Sequence, residues 1–310
     1  MEPSVIITDL HKSYGDQIAL SGVSLSVPHG CLYGLIGADG AGKSTLLRIC
    51  TTLVAPDKGS VTVLGLDVIK KYQQIRTMIG YMPQKFSLYQ DLSVRENMQF
   101  FADLFGVKQK ERDERMKRLL EFSRLAPFQE RRARNLSGGM KQKLALSCTL
   151  IHTPKVLFLD EPTTGVDSVS RREFWTILSE LKIDGITIVV STPYMDEAHL
   201  CDELLFLHHG KTVRQGRPDK LIDAYPHPLY RISSESKTLS VAQNAAVPTG
   251  VLLMYPEGGG IHVVMKQDMP DREVLSLVKP TLPQAERAER CKPKIEDLFV
   301  LLLSEGKETN

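Results

Sequence analysis

The stretch GADGAGKST, residues 37–45, decides the fold of this 310-residue chain. It matches G-x-x-x-x-G-K-[ST] through Gly37, Gly42, Lys43 and Ser44. Residues 31–36 ahead of it (CLYGLI) read as a short buried strand, and residues 43–50 behind it (KSTLLRIC) as a helix. A strand that runs through glycines into a helix can turn backbone N–H groups inward and present a positive helix end. Gly37, Ala38, Asp39, Gly40, Ala41 and Gly42 are therefore expected to cradle phosphates, with Thr45 closing the motif. Lys43 reaches the outer phosphates, and the Ser44 hydroxyl is offered to Mg²⁺.

The partner of that loop is VLFLDEP, residues 156–162. A buried strand that ends in two adjacent carboxylates is costly unless a cation and a polarised water use them. Asp160 is expected to orient Mg²⁺ through its water shell, and Glu161 to accept a proton from an attacking water as general base. Residues 156–159 and 187–190 are apolar without alternation, which suits a parallel sheet covered on both faces and an α/β class. Between the 31–36 and 156–159 strands, residues 108–122 carry Met116, Leu119 and Leu120 on one stripe of an otherwise charged helix, a solvated surface helix.

Composition narrows the remaining classes. Thirty-nine Lys plus Arg face 37 Asp plus Glu, a formal net charge of +2, so no global positive field draws nucleic acid. The basic cluster Arg131, Arg132 and Arg134 lacks interleaved aromatics and reads as a solvated helix end or an interface. Five scattered cysteines, none in a C-x-x-C pair, read as buried thiols of a reducing compartment. The charge-free window 17–38 is broken by serines and by Pro28-His29-Gly30, so it is strand, turn and strand and not a membrane span. Composition shifts after Gly216, where Pro218, Pro226 and Pro228 punctuate a connector. Residues 1–216 and 217–310 are taken as two domains. The second reads as a small α+β unit with a strand at 229–232, a hairpin of 251–255 and 261–266, and helices at 271–278 and 295–304.

LSGGM, residues 136–140, completes an ordered set of motifs. With it the chain resembles the ATP-binding subunits of ABC transporters from about residue 6 to 216, with the P-loop NTPase core and helical subdomain of that family. The resemblance rests on Tyr14, the 37–45 loop, Gln84 in YMPQ, LSGGM, the 156–161 strand and TGVD ending at Asp167. It implies ATP and Mg²⁺ as cofactors, Tyr14 stacked on adenine, and Gln84 beside the γ-phosphate as a catalytic group and metal ligand. It also implies Ser137, Gly138 and Gly139 donating to the γ-phosphate of a second ATPase module that closes head to tail. That module is either a second copy or a tandem or heterodimeric partner. Residues 85–97 are implied to pass the motion to a membrane subunit. The ending PKIEDLFVLLL, residues 293–303, is similar to the helix that closes ATPases serving ABC-2 type exporters, and the chain looks like the first module of a tandem pair. The implied place is cytoplasmic, on the inner face of a membrane. The transported molecule leaves no mark on such a sequence.

Three departures from the family pattern matter. Pro193, in STPYMDEA, stands where a switch histidine is usual and offers neither a side-chain donor nor an N–H. Met140 replaces the usual signature glutamine, and a weaker contact across the pair is expected. Asp39 replaces an asparagine, and its carboxylate is expected to turn away from phosphate into a turn hydrogen bond. A hydrolysing subunit is the leading reading. A non-hydrolysing clamp half of an asymmetric pair is an alternative, as is a soluble ABC protein acting on ribosomes or DNA, although no coiled-coil arm is visible.

Overall fold

The computed structural model describes residues 2–85, 88–234, 239 and 247–305. It divides into two compact units, Met1–Pro218 and Asp219–Asn310. The first unit opens with β1 (Val5–Tyr14), β2 (Gln17–Val27), β3 (Leu32–Ile36), α1 (Lys43–Cys50), β4 (Lys58–Val63) and β5 (Leu66–Asp67). It continues through α2 (Tyr72–Arg76), β6 (Ile79–Met82), α3 (Val94–Leu104), α4 (Gln109–Phe122) and α5 (Gly138–Leu150). It ends with β7 (Val156–Asp160), α6 (Ser168–Ile183), β8 (Thr187–Thr192), β9 (Glu203–His208) and β10 (Lys211–Gly216).

The central sheet has the order β10-β9-β3-β8-β7-β6, parallel except for the antiparallel edge strand β10. Every residue of β3, β7 and β8 is buried, so these strands show unbroken apolar runs instead of alternation. A second sheet, β2-β1-β4-β5, is wholly antiparallel. Its inward residues Leu20, Val23, Leu25, Val27, Val61 and Val63 share one apolar core with α1 and with the central sheet. The sequence reading caught β2 and missed the rest of this sheet. Register shifts interrupt β1, Asp9 sits at φ 46°, and β5 has only two residues, so no clean alternation survives there.

A helical subdomain packs around its own core of Val94, Met98, Met116, Leu120, Leu144 and Cys148. On α4 only Met116 and Leu120 are buried, with Leu119 packed at the margin, so the charged remainder is a solvated face. The start of α3 is fixed by a capping box, in which the Ser93 hydroxyl accepts from Glu96 N and the Glu96 carboxylate accepts from Ser93 N. Among the described residues no helix is long and apolar enough to cross a membrane.

The second unit contains α7 (Pro218–Asp223) after its first residue, then β11 (Leu229–Ser233), β12 (Val251–Glu257), β13 (Gly260–Met265), α8 (Asp271–Val278), β14 (Arg287–Arg290) and α9 (Ile295–Glu305). Its sheet, β12-β13-β11-β14, is antiparallel throughout. Val274 and Val278 of α8 cover one face, and Leu301 of α9 covers the other. Asp297 ties α9 to the sheet, accepting from Tyr255 Oη, His262 Nδ1 and Lys294 N at 2.6 Å each. Burial pushes its carboxyl up, but those three donors outweigh burial and hold it below the ordinary carboxylate range. The connector marked by prolines contains α7, which begins on Pro218, a residue suited to the first turn of a helix.

All five cysteines are free thiols, four of them buried. Burial pushes Cys31 and Cys50 up to about 12, so neither is a ready nucleophile.

Candidate functional site

Strand β3, inside the central sheet, delivers the glycine loop at its carboxyl end, and the loop's glycines are required by contact as well as by torsion. A Cβ on Gly37 would lie 2.3 Å from the Leu207 carbonyl oxygen, and one on Gly42 would lie 2.4 Å from that of Ala19. Gly42 has φ 107° and caps α1, with its own carbonyl accepting from Leu46 N at 3.0 Å. Lys43, the first residue of α1, is 3% exposed. Its ammonium donates to the carbonyls of Gly37 at 2.7 Å and Ala38 at 3.1 Å, and lies 3.1 Å from Glu161 Oε1. A buried cation is thus neutralised by a buried carboxylate at the base of the loop.

Strands β7 and β8 supply the opposing wall. Ser44 Oγ donates to Asp160 Oδ1 at 3.0 Å, and Ser191 Oγ donates to the same oxygen at 2.8 Å. The Glu161 N–H in turn donates to Ser191 Oγ at 3.0 Å. Glu161 has φ 49°, an uncommon conformation for a side-chain-bearing residue and one that recurs at functional turns. Its Oε2 accepts from Gln84 Nε2 at 2.9 Å and faces Thr164 Oγ1 at 3.4 Å. The stretch 85–97 that follows Gln84 begins beside this site, but Phe86 and Ser87 lie outside the described residues.

A cavity of about 420 Å³ lies over these groups. Of the residues singled out in the sequence, Tyr14, Asp39, Gly40, Ala41, Gly42, Lys43, Ser44, Thr45, Gln84 and Glu161 all line it. Gly37 and Ala38 join through the Lys43 ammonium, and Asp160 through Ser44. Gln17 and Ala19 also line the cavity but escaped the sequence reading, because they belong to β2, whose motif-free alternation signals only a strand. Ser191 was missed for a similar reason, as the penultimate residue of a wholly buried strand. A groove of similar size, about 440 Å³, has an apolar floor of Leu119, Phe122, Leu150 and Leu181 and no glycine loop, so chemistry and not volume distinguishes the site.

Asp39 departs from its expected behaviour. It is exposed at the cavity mouth, and no hydrogen bond to the described residues holds its carboxylate. Ser137, Gly138 and Gly139 do not line the cavity. Ser137 caps α5 by accepting from Met140 N at 3.3 Å, leaving an exposed helix start. Gly139 is buried against α6, where a Cβ would meet the Ser170 side chain at 2.5 Å. Met140 packs its thioether against the helical-subdomain core, which accounts for an apolar residue at that position. Asp167 caps α6 by accepting from Val169 N and Ser170 N at 3.1 and 2.9 Å. These N–H groups, Ser170 foremost, hold its carboxyl below the ordinary range.

The donor set suits Mg²⁺ with a phosphate chain. The oxygens available are hard ones, from the Ser44 hydroxyl, the Asp160 carboxylate and the Gln84 carboxamide, and the glycines let the loop pack against the Leu207 and Ala19 backbone oxygens beneath the cavity.

Comparison with known proteins agrees with that chemistry. Residues 20–164 match the family model described as ABC transporter. The chain is 39% identical over 289 residues to the probable multidrug ABC transporter ATP-binding protein YbhF of Escherichia coli K12, covering 93% of this chain and 50% of that protein. This chain therefore spans about half the length of that relative. It is 41% identical over 221 residues to the Nod factor export ATP-binding protein I of Rhizobium etli, covering 71% of this chain and 70% of that one. A solved ATP-binding cassette, captured as a dimer in a post-hydrolysis state with ADP and Pi, superposes with a TM-score of 0.63. It shares 27% identity and covers 69% of this chain and 98% of that one. With a P-loop α/β core, the ordered motifs and these relatives, the chain belongs to the ABC transporter ATP-binding family.

Proposed function

We propose that this chain is an ATP-binding and hydrolysing module that drives export through separate integral membrane subunits of the ABC-2 type. Residues 1–216 form the ATP-binding domain and residues 217–310 an accessory domain. The observation that carries the reading is the convergence of Lys43, Ser44, Asp160, Gln84 and Glu161 on one cavity beneath a glycine loop. The names of both relatives, multidrug transporter and Nod factor export, support an exporter. The half-length match to YbhF supports a place as one module of a tandem pair.

Ser44 and Gln84 would hold Mg²⁺, with Asp160 orienting it through its water shell. Bound Mg²⁺ would neutralise phosphate charge and favour the terminal transfer. Lys43 has its ammonium at the loop base and turns it to the outer phosphates, while Tyr14, at the exposed rim, stacks on adenine. Glu161 accepts the proton of the attacking water, and Gln84, which donates to Glu161, holds that carboxylate in place. The exposed α5 start with Ser137 and Gly138 donates across a head-to-tail pair to the other module's γ-phosphate, with Gly139 packing that start onto α6. Closure then depends on γ-phosphate, and its loss reopens the pair.

An aromatic patch supports a membrane partner. Tyr89, Phe100, Leu104 and Phe105 are exposed on and beside α3, and Tyr89 and Phe100 meet edge to face at 4.5 Å. A second reading, an ATP clamp that hydrolyses slowly, is favoured by Pro193, since losing one donor to transition-state charge costs roughly 10²–10³ in rate. The test of the main reading is Lys43→Ala, which is expected to abolish high-affinity MgATP binding in calorimetry while the far-UV spectrum is kept. Equal affinity in both proteins overturns it.

A further inference from the structure

A buried carboxylate outside the phosphate site joins three segments that flank it. Glu197 lies in the 3₁₀ segment Met195–Leu200 and is 3% exposed. Its Oε1 accepts from Thr163 Oγ1 at 2.8 Å, and its Oε2 accepts from Thr192 Oγ1 at 2.5 Å. Thr163 stands two residues after Glu161, and Thr192 ends β8 immediately before Pro193. The third segment is α6, whose Arg171 lies 3.8 Å from Glu197 Oε1, 3.2 Å from Asp196 Oδ2 and 4.6 Å from the Tyr194 ring. Tyr194 N also donates to Thr192 Oγ1 at 3.0 Å, closing the loop around Pro193. Glu197 thus spans the turn after Glu161, the Pro193 loop and the α6 start at once.

A carboxylate taken out of water at this depth is tolerated only with its lone pairs occupied. Both oxygens are occupied by hydroxyls whose backbones belong to different segments, so moving either segment leaves a buried charge short of a donor. We propose that Glu197 is a positioning residue for hydrolysis. It fixes the turn that aims the Glu161 carboxylate against the Pro193 loop, and through Arg171 it ties both to α6. Pro193 contributes no side-chain donor, so in this chain the loop serves as a rigid brace, and the brace is held by Glu197. The inference rests on Glu161 acting at an ATP site as argued above.

The experiment uses the full chain in excess over radiolabelled MgATP, reading the single-turnover rate beside the calorimetric Kd. Glu197→Ala is expected to slow turnover about tenfold or more with Kd within about twofold, since small misplacements of reacting groups act on rate and not on binding. Glu197→Gln keeps one acceptor and adds a donor the other hydroxyl can accept, so its rate stays within about threefold of wild type. If Glu197→Ala fails to fold, the pair Thr163→Val with Thr192→Val removes the donors from the other side and is expected to slow turnover similarly. A wild-type rate in Glu197→Ala or in the double variant overturns the inference. So does a Kd that weakens in step with rate, or a glutamine variant as slow as the alanine one. Glu161→Gln in the same assay separates the two levels. If it leaves the rate unchanged, the reading of the site fails. If it stops turnover while Glu197→Ala does not, only the role of Glu197 fails.

Discussion

At the scale of single residues, two glycines of one loop make a controlled comparison. Gly40 and Gly42 both have positive φ, 78° and 107°. A Cβ on Gly40 meets nothing within 4 Å, whereas one on Gly42 would press the Ala19 backbone oxygen at 2.4 Å. Gly40→Ala is expected to cost only the left-handed torsion, about 1–2 kcal/mol by urea denaturation. Gly42→Ala adds a backbone collision that must move β2 or α1, so it loses clearly more stability and weakens MgATP binding as well. Equal losses in the two variants would show that the loop yields to the added methyl. The departures at Asp39, Met140 and Pro193 show how unevenly single letters can be read. Met140 makes sense as an apolar contact with the helical core. Asp39 was read as bonded in a turn and instead stands exposed at the cavity mouth.

At the scale of elements, the legible parts were those whose signal is local. The β3 strand, the glycine loop and α1 declare themselves through residues adjacent in sequence, and so does the Asp160–Glu161 strand end. The Ser191 bridge and the Glu197 hub depend on residues brought together by the parallel sheet, and a serine or glutamate beside a strand carries no such mark. The antiparallel sheet was hidden because its bulges destroy the period-two pattern. The capping box of α3 lies between these cases, since S-x-x-E at Ser93 and Glu96 is written in the sequence. Ser93→Ala is expected to lower stability by about 1 kcal/mol, read by denaturation. The Ser93 N–H holds the Glu96 carboxyl below its ordinary range. That contribution is therefore present at neutral pH and is lost as pH falls below the ordinary glutamate range. Glu96→Gln should flatten this part of the acid limb of a stability–pH curve, and an unchanged limb would remove the carboxylate from the account.

At the scale of the whole molecule, the proposed pair has two sites that are not alike. The site on this chain's glycine loop has the Glu161 carboxylate and the Ser44–Asp160 pair, but Pro193, at the position where the family pattern has a histidine, brings no side-chain donor. The opposite site uses the partner's loop together with Ser137 and Gly138 at the exposed start of α5. If the partner module carries its own histidine and glutamate, turnover belongs mainly to that opposite site. The two should then differ by roughly 10²-fold or more, the usual cost of one missing donor to transition-state charge. The isolated chain is expected to hydrolyse slowly and to pair weakly with itself. Two Glu→Gln variants of the assembled transporter decide the matter, one at Glu161 and one at the partner's equivalent carboxylate. The partner variant is expected to remove most of the steady-state ATPase, and Glu161→Gln to remove little. That difference would make this chain's nucleotide a long-lived strut, bound through many turnovers while the other site cycles. The reverse pattern would mean that Pro193 does not slow this chain's own site, and that hydrolysis here proceeds on Glu161 and Gln84 without a histidine donor.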